Sequence, residues 1–192
     1  VWCPLNEAWK DFTEEAKLRD IRYCEEVYGL THKIDPSRPC VDTSGGYHSK
    51  HNDIADFHNY FDSKQIKQTL DDLETIYEKA LSPLETINPF IDGFYDEDKP
   101  TILSEYGGMS FACFTGHHDE EPWGYVNYKN SDEFVNEYIA LTTLVKNCKV
   151  LSGCCYTQLY DVEQEQNGLY TYDRKPKFSE QQMKEIAKCN SK

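Results

Sequence analysis

The feature that most constrains this chain is an alternation that runs its whole length. Short apolar runs of strand length alternate with longer charged stretches whose apolar residues recur at helical spacing. That order is expected of βα units around a parallel sheet, because a chain leaving one strand needs a crossover, usually a helix, to re-enter in the same direction. Val1 to Leu5 reads as the tail of a strand, and Leu18, Ile21, Cys24 and Tyr28 mark a helix after it. Pro39 to Thr43 and Ile54 to His58 read as two further strands, separated by Gly45-Gly46 and a polar loop holding His48 and His51. Ile66, Leu70, Leu73 and Tyr77 mark the next helix.

Pro100 to Ser104 reads as a buried strand running straight into Glu105-Tyr106-Gly107-Gly108, where the glycines permit a tight turn. After a long loop from Met109 to Lys129, Phe134, Tyr138, Leu141 and Val145 give another helical stripe, begun by Asn130 with Glu133 three residues on. Lys149 to Gln158 is the last expected strand. Ser179 and Gln182 form a capping-box pattern for a closing helix with Met183 and Ile186 on its apolar face. No repeat, low-complexity tract or linker interrupts this order, so residues 1–192 are assigned to one domain.

Composition narrows the partners. The 39% hydrophobic content is enough for a core, and the net charge of −14, from 34 acidic against 20 basic residues, repels phosphate backbones and anionic lipid. Nucleic acid and membrane partners are therefore not expected. The 14% aromatic content suits a sugar-binding cleft and suits plain packing equally. Val1-Trp2-Cys3-Pro4 is neither a signal peptide nor an initiator-methionine start, so the natural N-terminus is expected upstream. Of the eight cysteines, Cys3, Cys40, Cys113, Cys154 and Cys155 sit inside apolar runs, and no C-x-x-C pair occurs. They are expected to be free core thiols, which favours a reducing, cytoplasmic compartment. His48, His51 and His117-His118-Asp119 read as residues of exposed polar loops at no standard metal spacing, so neither a metal nor a cofactor is expected. The acidic runs at Asp96-Glu97-Asp98 and Asp119-Glu120-Glu121 read as solvated charge.

The candidate chemistry is a pair of carboxylates. Glycoside hydrolysis with retention needs two carboxyl groups about 5–5.5 Å apart, one attacking the anomeric carbon and one moving a proton at the glycosidic oxygen. Glu7 follows the first strand fragment and Glu105 a later one, and a βα barrel returns such strand ends to one catalytic rim. Trp2-Cys3-Pro4-Leu5-Asn6-Glu7 and Ser104-Glu105-Tyr106-Gly107-Gly108 resemble the acid/base and nucleophile motifs of glycoside hydrolase family 2. Asp56-Phe57-His58-Asn59-Tyr60 resembles that family's motif on barrel strand 6. Tyr156 to Glu163 and Tyr172-Asp173-Arg174-Lys175-Pro176-Lys177 resemble its strand 8 region and the end of its barrel.

The resemblance implies an α/β fold: strands 4 to 8, with their helices, of a (β/α)₈ TIM barrel. It makes Glu105 the nucleophile and Glu7 the acid/base of a retaining exo-β-glycosidase. Asn6 would hydrogen-bond the sugar 2-hydroxyl, and Tyr60 would steer the nucleophile through its hydroxyl. His58, Trp123 and Tyr156 become candidate substrate contacts. Each has a plainer reading: His58 as a structural histidine, Trp123 as loop packing, Tyr60 and Tyr156 as buried tyrosines with satisfied hydroxyls. Strands 1 to 3 and the family's preceding β-sandwich domains are expected to lie outside this sequence, and a sheet ended at strand 4 would self-associate through its open edge. Family members that cleave glucuronides carry an Asn-x-Lys-Gly pattern where this chain has Glu165-Gln166-Asn167-Gly168, which implies a neutral β-glycoside, such as a galactoside, as the carbohydrate substrate. The alternative is a non-catalytic carbohydrate-binding or interaction fragment of a barrel.

Overall fold

In the computed structural model, residues 1–7, 14–45, 48–79, 98–111 and 123–191 are described. The elements run in chain order as α1 (Glu14–Ile34), β1 (Ala55–Asn59), α2 (Ser63–Lys79), β2 (Thr101–Gly107), β3 (Met109–Ser110), β4 (Val126–Asn127), α3 (Ser131–Asn147), β5 (Leu151–Thr157) and α4 (Glu180–Asn190). The expected helices are all present, and β1, β2 and β5 form one sheet in that order. The two earlier strands are realised as bridged extended segments: Trp2 pairs in parallel with Cys40, and Asn6 with Ser44. Gly46, Cys113, His117, His118, Asp119 and most of the two acidic runs lie outside the described residues.

The described residues divide into two compact units, residues 1–58, 71–104 and 149–153 in one and residues 59–70, 105–148 and 154–192 in the other. In the first, Cys24, Cys40, Val41, Ile54, Ala55, Phe57 and Leu103 are buried. A polar clamp docks α1 there. Asp53 accepts from the Tyr28 hydroxyl at 2.7 Å and from the Cys40 amide at 2.8 Å, and its second oxygen also lies 2.8 Å from His32 Nε2. Burial opposes ionisation of Asp53, yet the hydrogen bonds from Tyr28 and Cys40 hold its pKa below the ordinary carboxylate value.

In the second unit the stripe read from the sequence is the core-facing side of α3: Phe134, Tyr138, Leu141 and Val145 are all buried. Phe134 stacks on Phe178, with ring centroids 4.9 Å apart, and Phe111 stacks on Phe178 at 5.6 Å. Asn130 caps α3 by accepting from the Asp132 amide, whereas α4 begins with the full reciprocal box between Ser179 and Gln182. Lys177 and Asp161 pair at 2.9 Å and fasten the segment ahead of α4.

Three expectations need correction. Cys3, Cys154 and Cys155 are exposed, while Cys24, Cys40 and Cys148 are buried. β5 is an outer strand of its described sheet, and its apolar run is not covered on both faces. Strand β2 continues to Gly107, which places Glu105 within the strand instead of just past its end. His48 is not a loop surface residue: its side chain is fully buried.

Candidate active site

The first unit builds the surroundings of Glu7. Its amide donates to the Ser44 carbonyl at 2.8 Å, so the parallel bridge that holds Asn6 to Ser44 also fixes the backbone of Glu7. That backbone adopts φ 48°, the left-handed region that a non-glycine residue enters at a cost of about 1–3 kcal/mol. Asn6 and Glu7 are exposed. Glu7 Oε1 lies 2.8 Å from Nδ1 of His58, whose side chain is only 6% exposed against 44% for that of Glu7.

Behind His58 runs a chain of buried polar groups. His58 Nε2 is 3.0 Å from Ser44 Oγ, and that hydroxyl donates to Asp56 Oδ2 at 2.7 Å. The Ser104 hydroxyl also donates to Asp56 Oδ2. His48 sits deeper, with Nδ1 2.6 Å from Asp42 Oδ1 and Nε2 2.9 Å from Asp56 Oδ1. Burial works against charge on His48, but its hydrogen bonds to Asp42 and then Asp56 outweigh that penalty and raise its pKa to about 9. For Asp56 burial likewise opposes ionisation, and the contact with His48 lowers its pKa nonetheless. The raised pKa favours the charged form of His48, which is set between two buried acidic side chains. Gly45 makes room for His58. It adopts φ +65°, and a Cβ there would lie 2.3 Å from His58 Nδ1.

The second unit builds the surroundings of Glu105 from aromatic groups. The Tyr60 hydroxyl donates to Glu105 Oε2. Burial, and then this hydrogen bond to Glu105, hold the Tyr60 phenol proton well above its ordinary pKa, so the tyrosine acts as a fixed donor. Its ring stacks on Tyr125 with centroids 3.9 Å apart and an interplanar angle of 10°. Gly108, at φ +58°, lies beneath this pair; a Cβ there would sit 2.5 Å from Tyr125 Cδ2 and 2.8 Å from Tyr60 Cδ1. Trp123 meets Tyr125 edge-on at 5.1 Å, and both are about half exposed, at 46% and 50%.

Tyr156 has a different setting from the other aromatic candidates. Its ring meets Tyr138 at 4.7 Å and Tyr106 at 5.5 Å, both edge-on, and its hydroxyl donates to the Asn167 carbonyl at 3.4 Å. Those contacts are what a packing tyrosine makes. Tyr125, Ser44 and the His48 network were not singled out as functional from sequence. The G-Y pair in Gly124-Tyr125 follows Trp123 directly and could have flagged the shelf, but nothing local marks Ser44 or separates a buried histidine from a loop one.

Residues 1–190 match the family described as "Glycosyl hydrolases family 2, TIM barrel domain". The chain belongs to glycosyl hydrolase family 2. Its fold is accordingly a partial (β/α)₈ barrel, strands 4 to 8 with their helices. Solved structures share that fold. A β-glucuronidase from an uncultured Clostridium species is 20% identical with a TM-score of 0.60, over 98% of this chain and 31% of its own. The Bifidobacterium dentium β-glucuronidase complexed with coumarin-3-O-glucuronide is 17% identical with a TM-score of 0.63, over 98% and 30%. A β-galacturonidase from Eisenbergiella tayi is 16% identical with a TM-score of 0.58, over 93% and 31%. This family 2 chain thus spans about a third of the length of these neighbours. Among curated proteins none matches it in sequence.

Proposed function

We propose that the full-length protein is a retaining exo-β-glycosidase in which Glu105 attacks the anomeric carbon and Glu7 protonates the leaving oxygen, then deprotonates water. The observation that carries this reading is the chemical difference between the two carboxylates. Glu105 accepts a hydrogen bond from a phenol that holds its proton, a fixed donor that orients a carboxylate for attack. Glu7 faces the imidazole of His58 at 2.8 Å, a partner that can carry a proton to or from it. Asn6 precedes the acid and is exposed to meet a sugar hydroxyl, while Trp123 and Tyr125 offer exposed ring surface to sugar C–H groups or an aromatic aglycone. Retention requires the two carboxyl groups at about 5–5.5 Å.

The test uses Glu105→Gln and Glu7→Gln in the full-length protein against an activated aryl β-glycoside. Both variants lose turnover, and azide restores it to a small-residue replacement, giving a glycosyl azide of inverted configuration at Glu105 and of retained configuration at Glu7. Unchanged rates in the two glutamine variants remove the reading.

For the sugar we favour a neutral β-glycoside, a β-galactoside first. Asn167 stands where the glucuronide-cleaving pattern has its lysine; it is fully buried, and its Oδ1 accepts from Gln158 at 2.7 Å. Lys177 is committed to Asp161 and to the Gln166 carbonyl, both at 2.9 Å. Glu165 adds negative charge, which disfavours a uronate. The solved neighbours described above are β-glucuronidases and a β-galacturonidase, at identities that carry the fold alone. Parallel assays on aryl β-galactoside and aryl β-glucuronide decide the matter, and faster cleavage of the glucuronide overturns the neutral-sugar reading.

A further inference from the structure

The hydrogen-bond chain behind Glu7 fixes more than orientation, because its donors can be counted. Ionised Asp56 can only accept, and it takes the single proton of the Ser44 hydroxyl at 2.7 Å. With that proton committed, the 3.0 Å contact between Ser44 Oγ and His58 Nε2 is satisfied only if Nε2 carries a hydrogen and Ser44 accepts it. The opposite arrangement, with Ser44 donating to His58, would leave its oxygen and an Asp56 carboxylate oxygen facing each other without a proton between them in a buried site.

Fixing the hydrogen on Nε2 has a consequence at the other end of the ring. His58 Nδ1 and Glu7 Oε1 are 2.8 Å apart, and two bare acceptors would repel at that distance. One proton must therefore lie between them, on the glutamate or on the imidazole.

We propose that the acid/base of this site is the Glu7–His58 pair sharing one proton, with Ser44 and Asp56 as positioning residues that hold His58 in its Nε2–H form. This rests on the reading of Glu7 given above. In the first step the pair gives its proton to the glycosidic oxygen as the C–O bond breaks and Glu105 bonds to the anomeric carbon. Glu7 is left as carboxylate and His58 as the neutral Nε2–H imidazole. In the second step water attacks the anomeric carbon, the bond to Glu105 breaks with its electron pair, and the proton from water returns to the pair. His48, held between Asp42 and Asp56, keeps the far end of the chain ionised, so that Asp56 remains an acceptor throughout.

The test measures kcat/KM in the full-length protein over aryl β-glycosides whose phenol leaving groups range from dinitrophenol to unsubstituted phenol. A residue that acts through the acid matters more as the leaving group becomes more basic. In Ser44→Ala and His58→Gln the loss on the phenyl glycoside is expected to exceed the loss on the dinitrophenyl glycoside by roughly tenfold, a fraction of the ~10²–10⁴ that general acid catalysis supplies. Ser44→Thr, which keeps the hydroxyl, is expected to restore the wild-type dependence. Equal losses across the series, the mark of a merely structural defect, would overturn the proposal, and so would an unchanged series in both variants. Glu7→Gln separates this outcome from failure of the underlying reading: if that variant keeps full activity, Glu7 is not the acid at all. If it is impaired while Ser44→Ala and His58→Gln show no leaving-group dependence of their loss, Glu7 works alone.

Discussion

Glu7 and Glu105 are the same residue type, each at or near the end of a strand segment, yet their surroundings differ in kind. Around Glu7 the chain has gathered hydrogen-bonded and ion-paired polar groups: His58, then Ser44 and Asp56, then His48 and Asp42. Around Glu105 it has placed a tyrosine that does not give up its proton, stacked on a second tyrosine over a glycine. The difference matches what each proposed role demands. A nucleophile must be aimed, and a fixed donor orients it. An acid/base must change state twice per turnover, and a coupled histidine keeps a proton at hand.

The contrast breaks most sharply at the nucleophile. Glu105→Ala is expected to lower kcat on the order of 10⁶-fold, the scale seen when an enzyme loses its nucleophile; retention of more than a hundredth of wild-type turnover would show that Glu105 is not that group. Removing the buried cation comes next. His48→Ala leaves Asp42 and Asp56 facing each other without a positive partner, and the expected cost is about 3–5 kcal/mol of stability, read by calorimetric or denaturant unfolding of the full-length protein. An effect under about 1 kcal/mol would mean that the histidine is not charged in the folded state.

That same network predicts a pH dependence. His48 is raised from 6.5 to about 9, so its stabilising charge is fully present below pH 6.5 and is lost as the pH rises through about 9. The full-length protein is expected to lose stability across that alkaline window, and His48→Gln to flatten the slope there. A wild-type curve as flat as the variant's would contradict the assignment. On the aromatic side, Tyr60→Phe removes one hydrogen bond to a carboxylate, worth about 1.5–3 kcal/mol, so kcat should fall roughly ten- to a hundredfold with the fold intact. Trp123→Ala is the mildest change. If the exposed ring stacks on substrate, KM rises about two- to tenfold with kcat nearly unchanged, in line with ~0.5–1.5 kcal/mol for a single stacking contact. No change in KM would return Trp123 to loop packing.

Much of this molecule was legible before any coordinates. The helical stripe from Phe134 to Val145, the capping box at Ser179 and the strand carrying His58 were marked by period and by cap chemistry, which depend on residues a few positions apart. Both candidate carboxylates and Tyr60 were readable from motifs of the same short range. Local pattern failed where cover had to come from elsewhere in the chain. Cys154 and Cys155 lie in an apolar run but on an outer strand, and His48 lies in a polar run yet is enclosed by Asp42 and Asp56.

The sequence by itself thus determined the α/β order and the family and named the two candidate carboxylates, because each is written in neighbouring residues. Only the tertiary structure decided what stands behind Glu7 and what packs on Tyr60. The chain of polar groups behind Glu7 draws on residues 42 to 58 and Ser104, and the ring that stacks on Tyr60 beside Glu105 is Tyr125. Burial and hydrogen-bond geometry across such separations are set by how strands pair and helices pack. For that reason the network behind Glu7 could not be read from the residues that flank it.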